Sequence, residues 1–183
     1  MKKRRAIFFD RDGIVNKRLV GDYVKTVEEF EFLPDFFPLF ELTDRYGLLK
    51  IVVSNQQGVG KAVMTLKDLQ SVTQFMQTEL VTKCGFGFDD VEYCTELASA
   101  HSYRRKPEPG MILDAARKWN IDIEQSWMIG DSISDATAGK QAGCSTILVG
   151  DFTKAQAPDA DWIVEDLVEC YDLLNSFLQK QAE

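Results

Sequence analysis

Short runs of β-branched and aromatic residues alternate along this chain with stretches of helical periodicity, and that alternation constrains the fold more than any other feature. A helix between two strands carries the chain back across the sheet, so the strands pair in parallel and helices cover both faces. The predicted strands are AIFFD at 6–10, LLKIVVS at 48–54, VEYC at 91–94, WMIG at 127–130, TILVG at 146–150 and WIV at 162–164. A first helix is expected after Pro34, with Asp35 as N-cap, closing near Tyr46 and Gly47. A second opens at Thr65, where Thr-Leu-Lys-Asp has the form of a capping box and Leu69, Val72, Phe75, Met76 and Leu80 recur at helical spacing. A third has Pro109 near its first turn and runs toward Trp119, a fourth covers Asp135 to Ala142 before Gly143, and the last runs from Leu167 to Gln181. The expected class is therefore α/β: a Rossmann-like, doubly wound, mainly parallel sheet. At 183 residues and 45% hydrophobic, the chain is long enough for one well-buried core and too short for two. Residues 1–183 are expected to form a single domain.

A formal charge of -8 argues against a nucleic-acid or anionic-membrane surface, which needs clustered excess Lys and Arg. Any phosphate bound by so acidic a chain must be neutralised locally. The opening MKKRRAIFFD is basic, but its apolar run is too short for a signal peptide or a membrane span, and no later stretch is long enough to cross a bilayer. Cys84, Cys94, Cys144 and Cys170 show no Cys-x-x-Cys spacing and read as buried, reduced thiols of a cytoplasmic protein.

FFDRDG places Asp10 and Asp12 two apart at the end of an apolar strand, so both carboxylates project from one side while the chain stays extended. Taken alone, this could be an Asp-Gly turn. Three further features fall at the carboxyl ends of later strands, where open α/β sheets place ligands. Ser54 ends KIVVSN, Lys106 lies in RRKP after VEYC, and Asp131 and Asp135 follow WMIG in GDSISDA. Individually these read as a turn serine, a solvated lysine and a helix cap; together and in order they outweigh that reading. The segment from Gly13 to Leu33 fits neither period and is expected to fold over the site.

This ordered set, a strand-end Asp-x-Asp, a strand-end Ser, a Lys and a Gly-Asp-x-x-x-Asp, resembles the haloacid dehalogenase superfamily of phosphohydrolases. The resemblance spans residues 10 to 135. It implies an enzyme in which Asp10 is the nucleophile that forms an aspartyl-phosphate and Asp12 is the general acid and then base. The flap and one helix between Asp12 and Ser54, and the helix and strand between Ser54 and Lys106, leave no room for a large cap, so the enzyme is expected to be capless. Ser54 and Lys106 stabilise the transferred phosphoryl group. Mg²⁺ would be held by Asp10, Asp131 and the backbone carbonyl of Asp12, with Asp135 orienting its waters or Lys106. These roles suit the chemistry, because a carboxylate can approach a phosphate dianion only if cations screen the repulsion.

FFDRDGIVN, GDYVKTVEEFEFLP, VVSNQQGVG, RRKPEPGM and IGDSISDATAGKQAG are similar, block by block, to the branch containing the heptose 1,7-bisphosphate 7-phosphatases and the histidinol-phosphate phosphatases. Gly21, Tyr23 and Val24, with the doubled Ala-Gly of AGKQAG, favour the heptose enzymes. That likeness implies a small sugar-phosphate substrate contacted by Gly21, Asp22, Tyr23, Asn55, Gln56 and Arg105; a monomer or weak dimer is expected, and the acidic balance leaves neither nucleic acid nor membrane as an expected partner. It also exposes departures. The branch commonly holds zinc through Cys and His residues ahead of Arg-Lys-Pro; here Cys94 remains, but Glu96, Ser102 and Arg104 replace the other ligands and His101 is out of register. Zinc is not expected, since a structural site needs four placed ligands. Gln57 and Ser132 stand where the branch has serine and lysine.

The alternatives are a histidinol-phosphate or other sugar or polyol phosphatase, a non-catalytic binding protein on the same fold, and a CheY-like receiver. A receiver carries its phosphoacceptor on a later strand, which ranks it last.

Overall fold

The computed structural model describes residues 3–180. Six parallel strands form one sheet: β1 (Ala6–Phe9), β2 (Leu49–Asn55), β3 (Asp90–Cys94), β4 (Trp127–Gly130), β5 (Ser145–Val149) and β6 (Trp162–Val164). Their spatial order is β3-β2-β1-β4-β5-β6. The chain winds outward from β1 in one direction, returns to the centre, and winds outward in the other from β4. β1 and β4, paired through Ile7–Trp127, Phe8–Met128 and Phe9–Ile129, thus flank the switch point where doubly wound sheets open a crevice at their carboxyl ends.

Alternation along the central strands divides the core between the two faces. Ile7, Phe9, Val52 and Ile129 pack on one side with α1 (Phe36–Arg45), α2 (Leu66–Cys84) and α5 (Leu167–Lys180). Phe8, Ile51, Val53 and Met128 face α3 (Gly110–Trp119) and α4 (Ile133–Ala142). The first side is aromatic: Phe9 meets Phe36 edge-on with ring centroids 5.6 Å apart, and Phe88 lies against Phe9, Phe36 and Phe40. Such contacts add to the area term at roughly 0.5–1.5 kcal/mol each, and they anchor the root of β1 beneath the site.

Two helix starts differ from expectation. Asp35 occupies the N-cap position of α1 in a helical conformation, and its side chain makes no capping bond. A turn closed by Phe36 N–H donating to Leu33 C=O leads into the helix instead. α4 begins at Ile133 rather than Asp135, because Ser132 and Asp135 form a reciprocal capping box. The Thr65–Asp68 capping box of α2 is present as read, and Leu69, Val72, Met76 and Leu80 are buried with Phe75 half-buried. α5 is described to Lys180; Gln181, its predicted end, lies outside the described residues. All four cysteines are free, with Cys84 half-buried and the others buried. Among the described residues no helix is long and apolar enough to cross a membrane.

The segment after β1 folds back on itself. Gly13 donates to Asn16, Lys17 to Glu31 and Leu33 to Val15, so 15–17 and 31–33 form the neck of a flap whose outer part, with Val20 fully exposed, lies beside the carboxyl end of the sheet.

Candidate active site

A cleft of about 310 Å³ opens at the carboxyl ends of β1, β2 and β4, near the lower end of the range for small-ligand sites. Asp10, Asp12, Ser54, Asn55, Arg105, Lys106, Asp131 and Asp135 line it, with Asp22 and Tyr23 contributed by the flap.

At its base is a buried ionic cluster. Lys106 Nζ lies 2.8 Å from Asp10 Oδ1, 2.6 Å from Asp135 Oδ1 and 2.7 Å from the carbonyl oxygen of Val53. Lys106 arrives on a long loop after β3, and Asn55 fixes it there: the Asn55 amide donates to Lys106 C=O at 2.9 Å while its oxygen accepts Lys106 N–H at 3.0 Å. Burial alone would lower the lysine's pKa, but Asp10 and Asp135 more than offset it and hold the ammonium charged.

The carboxylates outnumber that ammonium. Asp10, Asp131 and Asp135 can bring one oxygen each within 4.8 Å of one another. Burial, relieved in part by Lys106 and aggravated by Asp135, pushes Asp10 up to about 7. Burial and Asp135 likewise raise Asp131. Asp131 Oδ1 is buried without a hydrogen-bond partner among the described residues. An all-oxygen donor set, short of positive charge and holding an orphaned carboxylate oxygen, fits a hard divalent cation such as Mg²⁺.

Two glycines make the cluster possible. Gly13 has φ +102°, and a Cβ there would come within 2.0 Å of Asp131 Oδ2. A Cβ on Gly130 would meet Asp135 Oδ2 at 2.3 Å. Asp135 Oδ2 is also fixed by Ser132, which donates from its backbone N–H at 3.0 Å and its hydroxyl at 2.9 Å.

Asp12 sits in the opposite electrostatic setting. Arg11 Nη2 lies 3.0 Å from both of its oxygens, Asn16 donates at 2.9 Å and Gln56 at 2.7 Å. Burial opposes ionisation, but Arg11 and the two amides together hold Asp12 below the usual carboxylate range. Arg11 itself is fully buried, with its guanidinium 5.8 Å from the Tyr93 ring centroid. Alternation explains its position: between Asp10 and Asp12 it must point to the other side of the chain, under the site.

The structure thus brings Asp10, Asp12, Ser54, Lys106, Asp131 and Asp135 together. Gln56 and Gly21 depart from the expected substrate contacts. Gln56 is fully buried and donates to Asp12 and, at 3.2 Å, to Ser54 Oγ, so it acts on the carboxylate rather than reaching the cleft. Gly21 is exposed on the flap and does not line the cleft. Asn55 lines it, yet both ends of its amide are committed to Lys106. Arg105 lines it with a long 3.4 Å bond to the Glu96 carbonyl. Sequence reasoning missed Arg11, Asn16 and Arg18. The alternation just described could have found Arg11; Asn16 gains its meaning from Asp12, four residues back, and Arg18 from Asp131, 113 positions along the chain.

At the end of β3, Cys94 is buried with its thiol 3.9 Å from Glu96 Oε2, and in the loop before Lys106 His101 is exposed. Arg104, where the resembling branch has a cysteine, pairs with Glu92 at 2.6 Å and with Asp114, which Tyr103 and Arg117 also engage.

Comparison with known proteins identifies the family and the fold. The family model described as "HAD-hyrolase-like" matches residues 103–170. The D-glycero-beta-D-manno-heptose-1,7-bisphosphate 7-phosphatase of Helicobacter pylori is 35% identical over 175 residues, covering 95% of this chain and 99% of that protein. The corresponding alpha-anomer enzyme of Burkholderia mallei is 36% identical over 154 residues, 80% of each chain. The crystal structure of D,D-heptose 1,7-bisphosphate phosphatase from B. bronchiseptica, complexed with magnesium and phosphate, superposes with a TM-score of 0.85 at 29% identity, covering 94% of this chain and 98% of that one.

Proposed function

We propose, for a chain that belongs to the haloacid dehalogenase-like phosphatases and within them to the heptose 1,7-bisphosphate 7-phosphatase family, that its reaction is Mg²⁺-dependent removal of the 7-phosphate from D-glycero-D-manno-heptose 1,7-bisphosphate. The observation that carries the chemistry is the gathering of Asp10, Asp131 and Asp135 into one cluster, with Lys106 paired to Asp10 and Asp135, beside an Asp12 held in a separate cationic and amide setting.

Asp10, Asp131 and the backbone carbonyl of Asp12 would hold Mg²⁺. When bound, the ion supplies positive charge that screens the transferred phosphate and favours the ionised form of Asp10. Asp10 attacks phosphorus in line, forming the aspartyl-phosphate as the ester bond breaks. Lys106 and the Ser54 hydroxyl neutralise the equatorial oxygens as charge spreads over them. Asp135 acts through Lys106, fixing its ammonium.

Asp12 gives its proton to the leaving alkoxide and then takes one from the water that hydrolyses the intermediate. Its environment of Arg11, Asn16 and Gln56 favours the carboxylate, the form the second step requires. A phosphate dianion beside it works the other way, because like charge favours the protonated acid the first step requires. Asp22, Tyr23 and Arg105 line the cleft where the sugar would lie.

The test is a Mg²⁺-supported substrate panel: both anomers of heptose 1,7-bisphosphate, histidinol phosphate and fructose 1,6-bisphosphate. One heptose anomer should give the highest kcat/KM. A preference for histidinol phosphate would replace the substrate and leave the chemistry intact; no Mg²⁺-dependent hydrolysis of any phosphomonoester would remove both.

A further inference from the structure

We infer that Arg18 serves two partners in turn: Asp131 while the acid cluster lacks its cation, and the non-transferred phosphate of a bisphosphate once a cation has taken Asp131. This rests on reading the site as a bisphosphate phosphatase.

Arg18 stands on the flap, 113 positions from Asp131, yet its Nη1 lies 3.2 Å from Asp131 Oδ2. The pair is lopsided: the arginine side chain is 56% exposed and the aspartate 18%. An exposed cation on the flap therefore reaches in to a carboxylate that belongs to the buried cluster. The attraction follows from that cluster's excess of negative charge, which also lowers the cost of bringing a guanidinium to its edge. A divalent ion bound by Asp131 supplies the same charge at shorter range and repels the guanidinium. Arg18 then loses its partner while still lining the cleft.

A released arginine has a use there. A sugar bisphosphate carries two dianions, and the side-chain cations lining the cleft are Arg18, Arg105 and Lys106. Lys106 is committed by its contacts with Asp10, Asp135 and Val53, and belongs to the transferred group. Ser132 and Ser134, on the wall next to Asp131, bring no charge. The second phosphate is left to Arg105 from one side and Arg18 from the flap, and a planar guanidinium suits a phosphate through paired donors. Because one side chain links the two events, cation and second phosphate should promote each other's binding.

Two measurements on the full chain test this. In calorimetric titration with Mg²⁺ alone, Arg18→Ala should bind the ion more tightly than wild type, by up to about fivefold, the worth of an exposed ion pair. With Mg²⁺ present, the ratio of kcat/KM for heptose 1,7-bisphosphate to that for heptose 7-phosphate should fall by about tenfold in Arg18→Ala, mostly through KM, with partial recovery in Arg18→Lys. Unchanged or weaker Mg²⁺ binding by the variant would show that Arg18 does not compete for Asp131. An unchanged substrate ratio would remove it from the second phosphate. If wild type itself fails to prefer the bisphosphate, the substrate reading falls and the second half of the inference with it; the Mg²⁺ titration still decides the first.

Discussion

Two ionic clusters lie on either side of Lys106, built from the same groups and tuned in opposite directions. In the cleft, Asp10, Asp131 and Asp135 cluster, with Lys106 shared between Asp10 and Asp135 and the exposed Arg18 reaching Asp131, and Asp10 and Asp131 are pushed above the usual carboxylate range. On the loop side, Asp114 meets Tyr103, Arg117 and Arg104, and although burial works against ionisation these partners hold it below that range. Arg104 also reaches Glu92, and Lys118 bridges Glu92 and Asp90. The loop cluster satisfies its charges within the protein; the cleft cluster leaves a deficit that an added cation must fill. A carboxylate cluster becomes a functional site when its protein partners are too few, and the direction of each pKa shift reports which kind it is.

The largest effect should come from the deficit side. Asp10→Asn keeps the shape of the nucleophile and removes its reactivity, so turnover should fall about 10⁴-fold or more, with loss of stable binding of a phosphate-mimicking beryllium fluoride complex. Retained turnover at a comparable rate would show that the nucleophile is elsewhere. The same contrast predicts the response to metal. At 100 times its Kd, Mg²⁺ should stabilise the wild type by about 2.7 kcal/mol, roughly 5–10 °C in Tm for a chain of this size. Chelation should abolish the shift, Asp131→Ala should lack it, and Arg104→Ala should keep it. An equal Mg²⁺ response in Asp131→Ala would place the ion outside the cleft.

How far the sequence discloses this contrast depends on whether a feature is local. All six strands follow from short β-branched or aromatic runs: β1, β2, β4 and β5 are buried on both faces and need little else, while β3 and β6, at the sheet edges, are only partly buried. The capping box at Thr65 is likewise a local code. The start of α4 at Ile133, two residues ahead of the expected Asp135, is local too, because Ser132 and Asp135 carry the same spacing. The placement of β4 beside β1 is not local, and neither are the Asn55 clamp on Lys106 or the Arg18 reach to Asp131. The Gly-Asp-x-x-x-Asp spacing marks Asp131 and Asp135 as a pair; only the fold shows that Gly13, far back in the chain, must lack a side chain to admit Asp131. The burial of Gln56 beneath Asp12 is hidden from the sequence for a similar reason. A polar residue after a strand points into a cleft or beneath it according to local twist, and here it turns under Asp12.

A smaller effect sits at the join between the two clusters. Asn55→Ala removes both bonds that fix the Lys106 backbone and leaves the ammonium chemistry unchanged. Two lost hydrogen bonds at about 1 kcal/mol each, if felt mainly in the transition state, correspond to roughly a 30-fold fall in kcat. A rise in KM with kcat unchanged would instead return Asn55 to direct substrate contact.

The smallest effect should come from the satisfied cluster. Arg104→Ala leaves Glu92 and Asp114 with other partners, Lys118 for the first and Tyr103 and Arg117 for the second. The cost should be about 1 kcal/mol, near 2–4 °C in Tm, and should shrink as salt is added. Activity should change less than in Asn55→Ala, because Asn55 holds Lys106 independently of the loop's charges. The pH dependence has a definite sign. Asp114 is depressed relative to its value of 3.8 in the unfolded chain, so its contribution is fully present above that value and is lost as pH falls through the lower folded pKa. The stability difference between wild type and Arg104→Ala should therefore be flat from neutral pH down to about 4 and narrow only in stronger acid. A difference that instead vanished near pH 7, where Asp10 titrates, would mean that the loop cluster and the cleft cluster are one coupled system rather than two.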